Sequence, residues 1–264
     1  MTLEGRNILS VSLIQTDIVW ENIEANLCHI ENLIEAHRKP SHIYILPETF
    51  STGFTMRTEP FSENECGQSV QWMKKQAAKL GAMMIGGIIY GSDGRFFNRL
   101  YWITPSGIEG HYDKRHLFRM GREQEHYSPG KERKIISYRG FNILPQICYD
   151  IRFPVFSRNR NDYDVIIYIA NWPSARQPVW NLLLKARAVE NQCYVLGVNR
   201  TGRDGEGIDH EGGTSVINPM GEKLAGLGNQ PGILYHEIDL KEIWHFRNKF
   251  PVLIDADNFM IDLN

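Results

Sequence analysis

Apolar and polar positions alternate over Ile8-Leu-Ser-Val-Ser-Leu-Ile-Gln15, the period-two pattern of a strand with one face in a core. The period then changes. Ile23, Leu27, Ile30 and Ile34 recur at helical spacing, and Pro40 ends that stretch. His42–Leu46 reads as a short, mostly buried strand that runs straight into Pro47-Glu48. A second helix is expected over about Ser69–Leu80, stopped by Gly81, a residue suited to the left-handed turn after a helix. Ala82–Tyr90 and Phe96–Thr104 flank Gly91-Ser-Asp-Gly94 and predict a hairpin, and a turn at Pro105-Ser-Gly107 leads to a strand ending near Tyr112. Ile135–Tyr138 and Phe141–Ile147 predict another, turning at Arg139-Gly140. Asp164–Ile169 is almost wholly apolar, as expected of a strand covered on both faces. Pro178 opens a helix that runs to Asn191, since proline suits the first helical position. Strands at Tyr194–Val198, Thr214–Asn218 and Ile233–Ile238 and a short helix at Leu240–Phe246 complete the pattern.

Strands and helices interleave throughout, with no linker, low-complexity tract or repeat. That predicts one α/β domain over residues 1–264, with layered sheets inside and helices outside. The many hairpins argue against a purely parallel sheet. A hydrophobic fraction of 42% and a charged fraction of 23% exclude disordered, collagen-like and coiled-coil chains. Lys+Arg 29 against Asp+Glu 31 leaves a formal charge of −2, too little positive field to hold nucleic acid or an anionic membrane. The longest apolar runs, such as Val165–Ala170, fall far short of the roughly 20 residues that span a bilayer. Met1–Asn7 is polar and carries no secretory hydrophobic region. The expectation is a cytoplasmic protein. Its four cysteines (Cys28, Cys66, Cys148, Cys193) have neither Cys-x-x-Cys nor zinc-finger spacing and are read as free thiols.

Three polar residues interrupt apolar context at the ends of predicted strands, where a rigid scaffold can present reactive groups. Glu48 follows Ile45-Leu-Pro, and a carboxylate there is costly unless it is paired or working. Lys114 lies in His111-Tyr-Asp-Lys-Arg-His-Leu-Phe118, where a solvated surface lysine is the plain alternative. Cys148 is delivered by Ile143-Leu-Pro-Gln-Ile147 into a polar and aromatic turn; a buried inert cysteine is the alternative there. The three share a chemical logic. A thiol with a pKa of about 8.5 is mostly protonated at neutral pH and needs a base or a cation to become a nucleophile. Glu48 could take the proton, and Lys114 could stabilise the thiolate and a later oxyanion. A Cys–His pair, drawn from nine histidines, remains a rival arrangement.

Pro47-Glu48, Lys114-Arg-His-Leu-Phe118 and Cys148-Tyr-Asp-Ile-Arg-Phe-Pro154 resemble the three signature blocks of the nitrilase superfamily of carbon–nitrogen hydrolases. Asn171-Trp172-Pro173 and Lys185-Ala-Arg-Ala-Val-Glu-Asn-Gln192 resemble its later blocks, in the correct order, so that the likeness spans about residues 8 to 240. The resemblance implies a four-layer αββα sandwich with two mixed central sheets and a homodimer. It makes Glu48 the general base, Lys114 the oxyanion-stabilising cation and Cys148 the nucleophile. The Tyr149 N–H would complete the oxyanion hole, and Glu123 (rather than Glu125) would position lysine and substrate. No metal or organic cofactor is implied. Trp172 and Pro173, just after an apolar strand, would wall an acyl pocket, with ordinary packing the alternative for Trp172. Arg187 and Glu190, at i and i+3 of one helix, read as a scaffolding pair.

Asp113-Lys-Arg-His-Leu-Phe-Arg-Met120, the cysteine block and the late Lys249-Phe-Pro251 and Asp255-Ala-Asp257 look like the bacterial ω-amidase branch, which acts on monoamides of short dicarboxylic acids. A distal carboxylate calls for a guanidinium, and Arg152 is the candidate; the alternative is an ion pair with Asp150 or Asp162. Three rival readings stay open: a nitrilase or N-carbamoyl hydrolase on the same fold, a non-catalytic scaffold protein, and a thiol redox protein pairing Cys148 with Cys193.

Overall fold

The alternation at the start of the chain becomes strand β1 (Ile8–Gln15), whose Leu9, Val11 and Leu13 enter the core between two sheets while Ile14 faces outward onto helices. The computed structural model describes residues 7–261; the polar segment read at positions 1–6 lies outside the described residues. Helix α1 (Ile23–His37) buries Leu27, Ile30 and Ile34, and the short strand β2 (Ile43–Ile45) follows. After α2 (Thr58–Phe61), α3 (Gln68–Leu80) ends on Gly81 in the left-handed conformation, as its sequence requires. Strands β3 (Met83–Ser92) and β4 (Arg95–Thr104) form the first hairpin. Its loop is tighter than the glycines suggested, because Asp93 and Gly94 alone turn the chain, both at positive φ. Strand β5 (Gly107–Asp113) completes this half.

The second half contains β6 (Ile136–Tyr138), β7 (Phe141–Ile147), α4 (Pro154–Ser157), β8 (Val165–Ala170), α5 (Gln177–Asn191) and β9 (Tyr194–Asn199). A small two-stranded unit of β10 (Thr201–Arg203) and β11 (Asp209–Glu211) precedes β12 (Ser215–Ile217) and β13 (Lys223–Gly226). Then β14 (Gly232–Asp239) crosses back to pair with β1, and α6 (Leu240–Lys249) follows. Thr-Gly-Arg, Asp-His-Glu and Lys-Leu-Ala-Gly carry no hydrophobic alternation, so β10, β11 and β13 are invisible to a periodicity argument.

The strands form two mixed six-stranded sheets, ordered β14-β1-β2-β3-β4-β5 and β13-β12-β9-β8-β7-β6. In each, a parallel core (β1-β2-β3 or β7-β8-β9) is flanked by antiparallel strands. Leu9, Val11, Ile43, Ile45, Met83 and Ile85 of the first sheet share one core with Val165, Ile167, Ile169, Leu196 and Val198 of the second. Helices α1 and α3 cover the outer face of the first sheet, and Trp180, Leu184 and Ala188 of α5 pack on the second. The result is an α/β sandwich with helices outside and two sheets within. Among the described residues no helix is long and apolar enough to cross a membrane.

Candidate active site

Four strand ends supply the polar side chains of one cavity of about 750 Å³: Glu48 lies three residues beyond β2, and Lys114, Cys148 and Asn171 directly follow β5, β7 and β8. Two of these turns hold a non-glycine residue in the left-handed region, Thr49 at φ 40° and Cys148 at φ 44°. Such backbone strain persists only where the surroundings over-determine it. At the first turn, Phe50 N–H donates to the Gly87 carbonyl and Gly87 N–H to that of Pro47. A Cβ on Gly87 would lie 3.1 Å from the Glu48 Cα, so the Glu48 loop can rest on β3 only because residue 87 has no side chain. At the lysine, Lys114 N–H donates to the Asn98 carbonyl, and its own carbonyl accepts from Gly130.

The charged groups form one buried web. Lys114 Nζ lies 2.9 Å from Glu48 Oε1 and 3.1 Å from Glu123 Oε1, and all three side chains are at most 1% exposed. Asn98 Nδ2 donates to the same two oxygens, at 2.7 and 3.2 Å. Glu48 Oε2 accepts from the Asn171 N–H at 2.7 Å, and Glu123 Oε2 from the Phe118 N–H at 2.6 Å. Glu48 Oε1 thus holds two donors and Oε2 one, which leaves Oε2 the oxygen with spare acceptor capacity.

Burial alone would depress Lys114, but the charges of Glu123 and Glu48 hold it well above its ordinary value, so it is an ammonium. Burial raises Glu123 above its ordinary value; the Lys114 charge opposes this only in part, and the Glu48 charge adds to it. Burial pushes the Cys148 thiol well up; the charge of Glu48 adds to this and Lys114 opposes it. The resting sulfur is therefore a thiol, and it becomes nucleophilic only as its proton leaves.

A second buried carboxylate ties the nucleophile turn to the lysine loop. Asp150 accepts from the Ile147 N–H, from Tyr112 Oη, and from both the backbone N–H and Nδ1 of His116. Each of the two Asp150 oxygens thus meets two polar partners, which is the full acceptor capacity of a carboxylate. The His116 ring stacks on Phe153 with centroids 3.9 Å apart.

Of the residues singled out in the sequence, Glu48, Lys114, Cys148, Tyr149, Arg152 and Trp172 line the cavity, while Glu123 sits behind Lys114 and does not reach it. Glu125 is exposed and pairs with Arg122. Tyr149 meets Phe118 and Phe153 edge-on, each at 5.1 Å. Trp172 both walls the cavity and packs: it is 2% exposed, and its Nε1–H donates to the Arg176 carbonyl. Arg152 makes neither ion pair weighed for it. Asp150 is filled as described, Asp162 binds Arg133, and the Arg152 guanidinium lies 5.5 Å from the Trp172 ring. Arg187 pairs with Glu190 at 2.9 Å, as the helical spacing implied.

Cys193 is no partner for Cys148. It precedes β9 at the opposite end of the parallel strands, a separation of about 20 Å from the strand register. Asn171 was quoted from the sequence only as part of a block, without a role, and Asn98 was not found at all, although it is a polar residue inside the aromatic and apolar run Phe96-Phe-Asn-Arg-Leu-Tyr-Trp102 and could have been flagged like Glu48.

Known proteins resemble this chain over nearly its whole length. Residues 10–248 match the family model described as carbon-nitrogen hydrolase. The chain is 40% identical to omega-amidase YafV of Yersinia enterocolitica, over 96% of this chain and 98% of that one. It is 34% identical to 2-oxoglutaramate amidase of Bacillus subtilis, over 93% and 96%. A crystal structure of a CN-hydrolase superfamily protein from Xanthomonas campestris, with an arsenic adduct in its active site, superposes with a TM-score of 0.94 at 39% identity, covering 97% of this chain and 99% of that one.

Proposed function

The chain belongs to the carbon–nitrogen hydrolase family and hydrolyses amides, and from that premise we propose that it releases ammonia from the terminal amide of short dicarboxylic acid monoamides such as 2-oxoglutaramate and succinamate. One observation carries the mechanism: a thiol, a carboxylate and an ammonium are buried together at the wall of one cavity. Glu48 takes the proton of Cys148 through Oε2 as sulfur attacks the amide carbonyl carbon. The oxyanion forms against Lys114 and the Tyr149 N–H; losing one such donor costs about 100- to 1,000-fold in rate. Collapse breaks the C–N bond, protonated Glu48 gives its proton to the departing nitrogen, and ammonia leaves a thioester on Cys148. Water, deprotonated by Glu48, then attacks the thioester. The C–S bond breaks, the acid departs, and the sulfur recovers its proton. Glu123 and Asn98 act by holding Lys114 and Glu48 in place, and the whole chain serves as one hydrolase domain.

Three things support the substrate class. Relatives at 40% and 34% identity bear the names omega-amidase and 2-oxoglutaramate amidase. Trp172 supplies an apolar wall beside the nucleophile. Arg152 presents a guanidinium with no carboxylate partner among the described residues, which suits a substrate's distal carboxylate. Four free cysteines accord with a cytoplasmic location. Exposed Leu182 and Val189 on α5 and Trp244 on α6 offer apolar surface for a homodimer.

The test is ammonia release from 2-oxoglutaramate and succinamate by the wild type beside Cys148→Ala. Release that the variant abolishes is expected. Turnover confined to nitriles or N-carbamoyl compounds would overturn the substrate, and turnover retained by Cys148→Ala would overturn the nucleophile.

A further inference from the structure

Four Arg or Lys side chains line the cavity: Arg57, Lys114, Arg152 and Arg176. Arg57 is taken by Glu21, and Lys114 by Glu48 and Glu123. The other two have no carboxylate partner among the described residues. Both rest against aromatic rings, Arg152 at 5.5 Å from Trp172 and Arg176 at 5.1 Å from Phe118. Arg176 is half-buried, and its backbone is fixed because its carbonyl accepts from Trp172 Nε1 at 2.8 Å. The carboxylates at the rim do not neutralise this pair. Asp204 is turned back on its own loop, accepting from the N–H groups of Glu206 and Ile208 at 3.0 and 2.8 Å, and Glu206 is exposed. A half-buried guanidinium (Arg176) and a more exposed one (Arg152), both on the cavity that holds the nucleophile and both without a carboxylate partner among the described residues, form a place where an anion can pair.

We propose that Arg176 is a specificity-determining residue that joins Arg152 in a two-guanidinium subsite for the end of the substrate remote from the amide. The inference rests on the amidase reading above and deepens it. One guanidinium takes the distal carboxylate as a two-point pair, and the other takes an electronegative oxygen at the neighbouring carbon, such as a 2-oxo group. The same pair of charges repels a 2-ammonium group. The subsite therefore prefers 2-oxo acid monoamides over both uncharged amides and 2-amino acid amides of the same length.

The experiment compares kcat and KM of wild type, Arg176→Gln, Arg176→Lys and Arg152→Gln on 2-oxoglutaramate, glutamine and the uncharged butyramide. The Arg176 side chain makes no hydrogen bond within the described chain, so the variants are expected to fold, with melting temperatures as the check. Arg176→Gln should lower kcat/KM for 2-oxoglutaramate about 10- to 100-fold, mostly through KM, the size expected for a lost charge-assisted hydrogen bond. It should leave butyramide within about twofold and shrink the preference over glutamine. Arg176→Lys should recover part of the loss, since it keeps the charge without the fork. Equal losses on 2-oxoglutaramate and butyramide would make Arg176 structural and overturn the proposal, as would no loss on either. A wild type that hydrolyses butyramide as well as 2-oxoglutaramate would overturn the subsite while leaving the amidase reading intact. A wild type that hydrolyses no amide would overturn both.

Discussion

The Glu48 carboxylate meets the Lys114 ammonium at 2.9 Å, and each side chain is 1% exposed. A pair removed from water to this degree is held by the desolvation cost of breaking it, because the partner left behind is an uncompensated charge. The two halves should therefore respond differently to neutral substitutions. Glu48→Gln leaves Lys114 paired with Glu123 but cannot accept a proton and sets an amide N–H against one of the donors on Glu48, so it should lower kcat by about 100- to 10,000-fold and cost about 1–3 kcal/mol of stability. Lys114→Met leaves Glu48 and Glu123 facing each other and should cost about 3–5 kcal/mol of stability besides abolishing turnover. Denaturant titration beside steady-state kinetics separates the two, and equal destabilisation by both variants would contradict the asymmetry.

Asp150 is the hinge pin between the nucleophile turn and the lysine loop, with four donors on one buried carboxylate. Asp150→Asn replaces one acceptor oxygen with a donor group that meets N–H or O–H groups already pointing at it. Lost charge-assisted bonds are worth about 1.5–3 kcal/mol each, so the variant should lose at least about 3 kcal/mol of stability. Its kcat should fall further than folding loss explains. Rates measured well below the unfolding transition give that comparison.

Gly87 places a backbone rather than a side chain under Glu48. In Gly87→Ala the new methyl meets the Glu48 Cα, the Thr49 nitrogen and Ile169 Cδ1 within 3.1 Å. The general base would be displaced by a few tenths of an ångström while the sheets stay paired. A large drop in kcat with a circular dichroism spectrum like the wild type is expected. Full activity would show that the loop can yield without cost.

His210 sits at the cavity wall and is held neutral, pushed down to about 4 by burial, with the neighbouring Arg200 charge adding to the effect. An unfolded histidine binds its proton near pH 6.5, whereas this one does so only near its folded value. The unfolded state thus takes up more protons on acidification, and stability falls as pH drops from about 6.5 towards 4. His210→Gln should flatten that decline, sparing about 2 kcal/mol at pH 5. Unfolding free energies at pH 7 and pH 5 decide it, and parallel slopes in the two proteins would refute the assignment.

Much of this protein was legible from periodicity and local chemistry. The alternation at 8–15, the Gly81 stop, the Pro178 start and the apolar run before Asn171 each act within a few residues, where backbone sterics and burial of one face decide the outcome. The same rule exposed Glu48 and Cys148 as polar residues at the ends of buried strands. It reached Lys114 only through company, because a lone lysine after a half-exposed strand reads as a surface residue. It missed Asn98, and it left Arg152 with imagined partners at Asp150 and Asp162 that Tyr112, His116 and Arg133 in fact occupy.

Residue types, strand ends and the order of motifs were therefore determined by the sequence, which carries them locally. Only the tertiary structure decided which charges meet. Glu48 lies 66 positions from Lys114 and 123 from Asn171, and Gly87 decides whether the first of them can rest on the sheet at all. Contacts across such distances depend on sheet order and on close packing in a medium that penalises every unpaired charge, and those are properties of the assembled fold rather than of any segment of the chain.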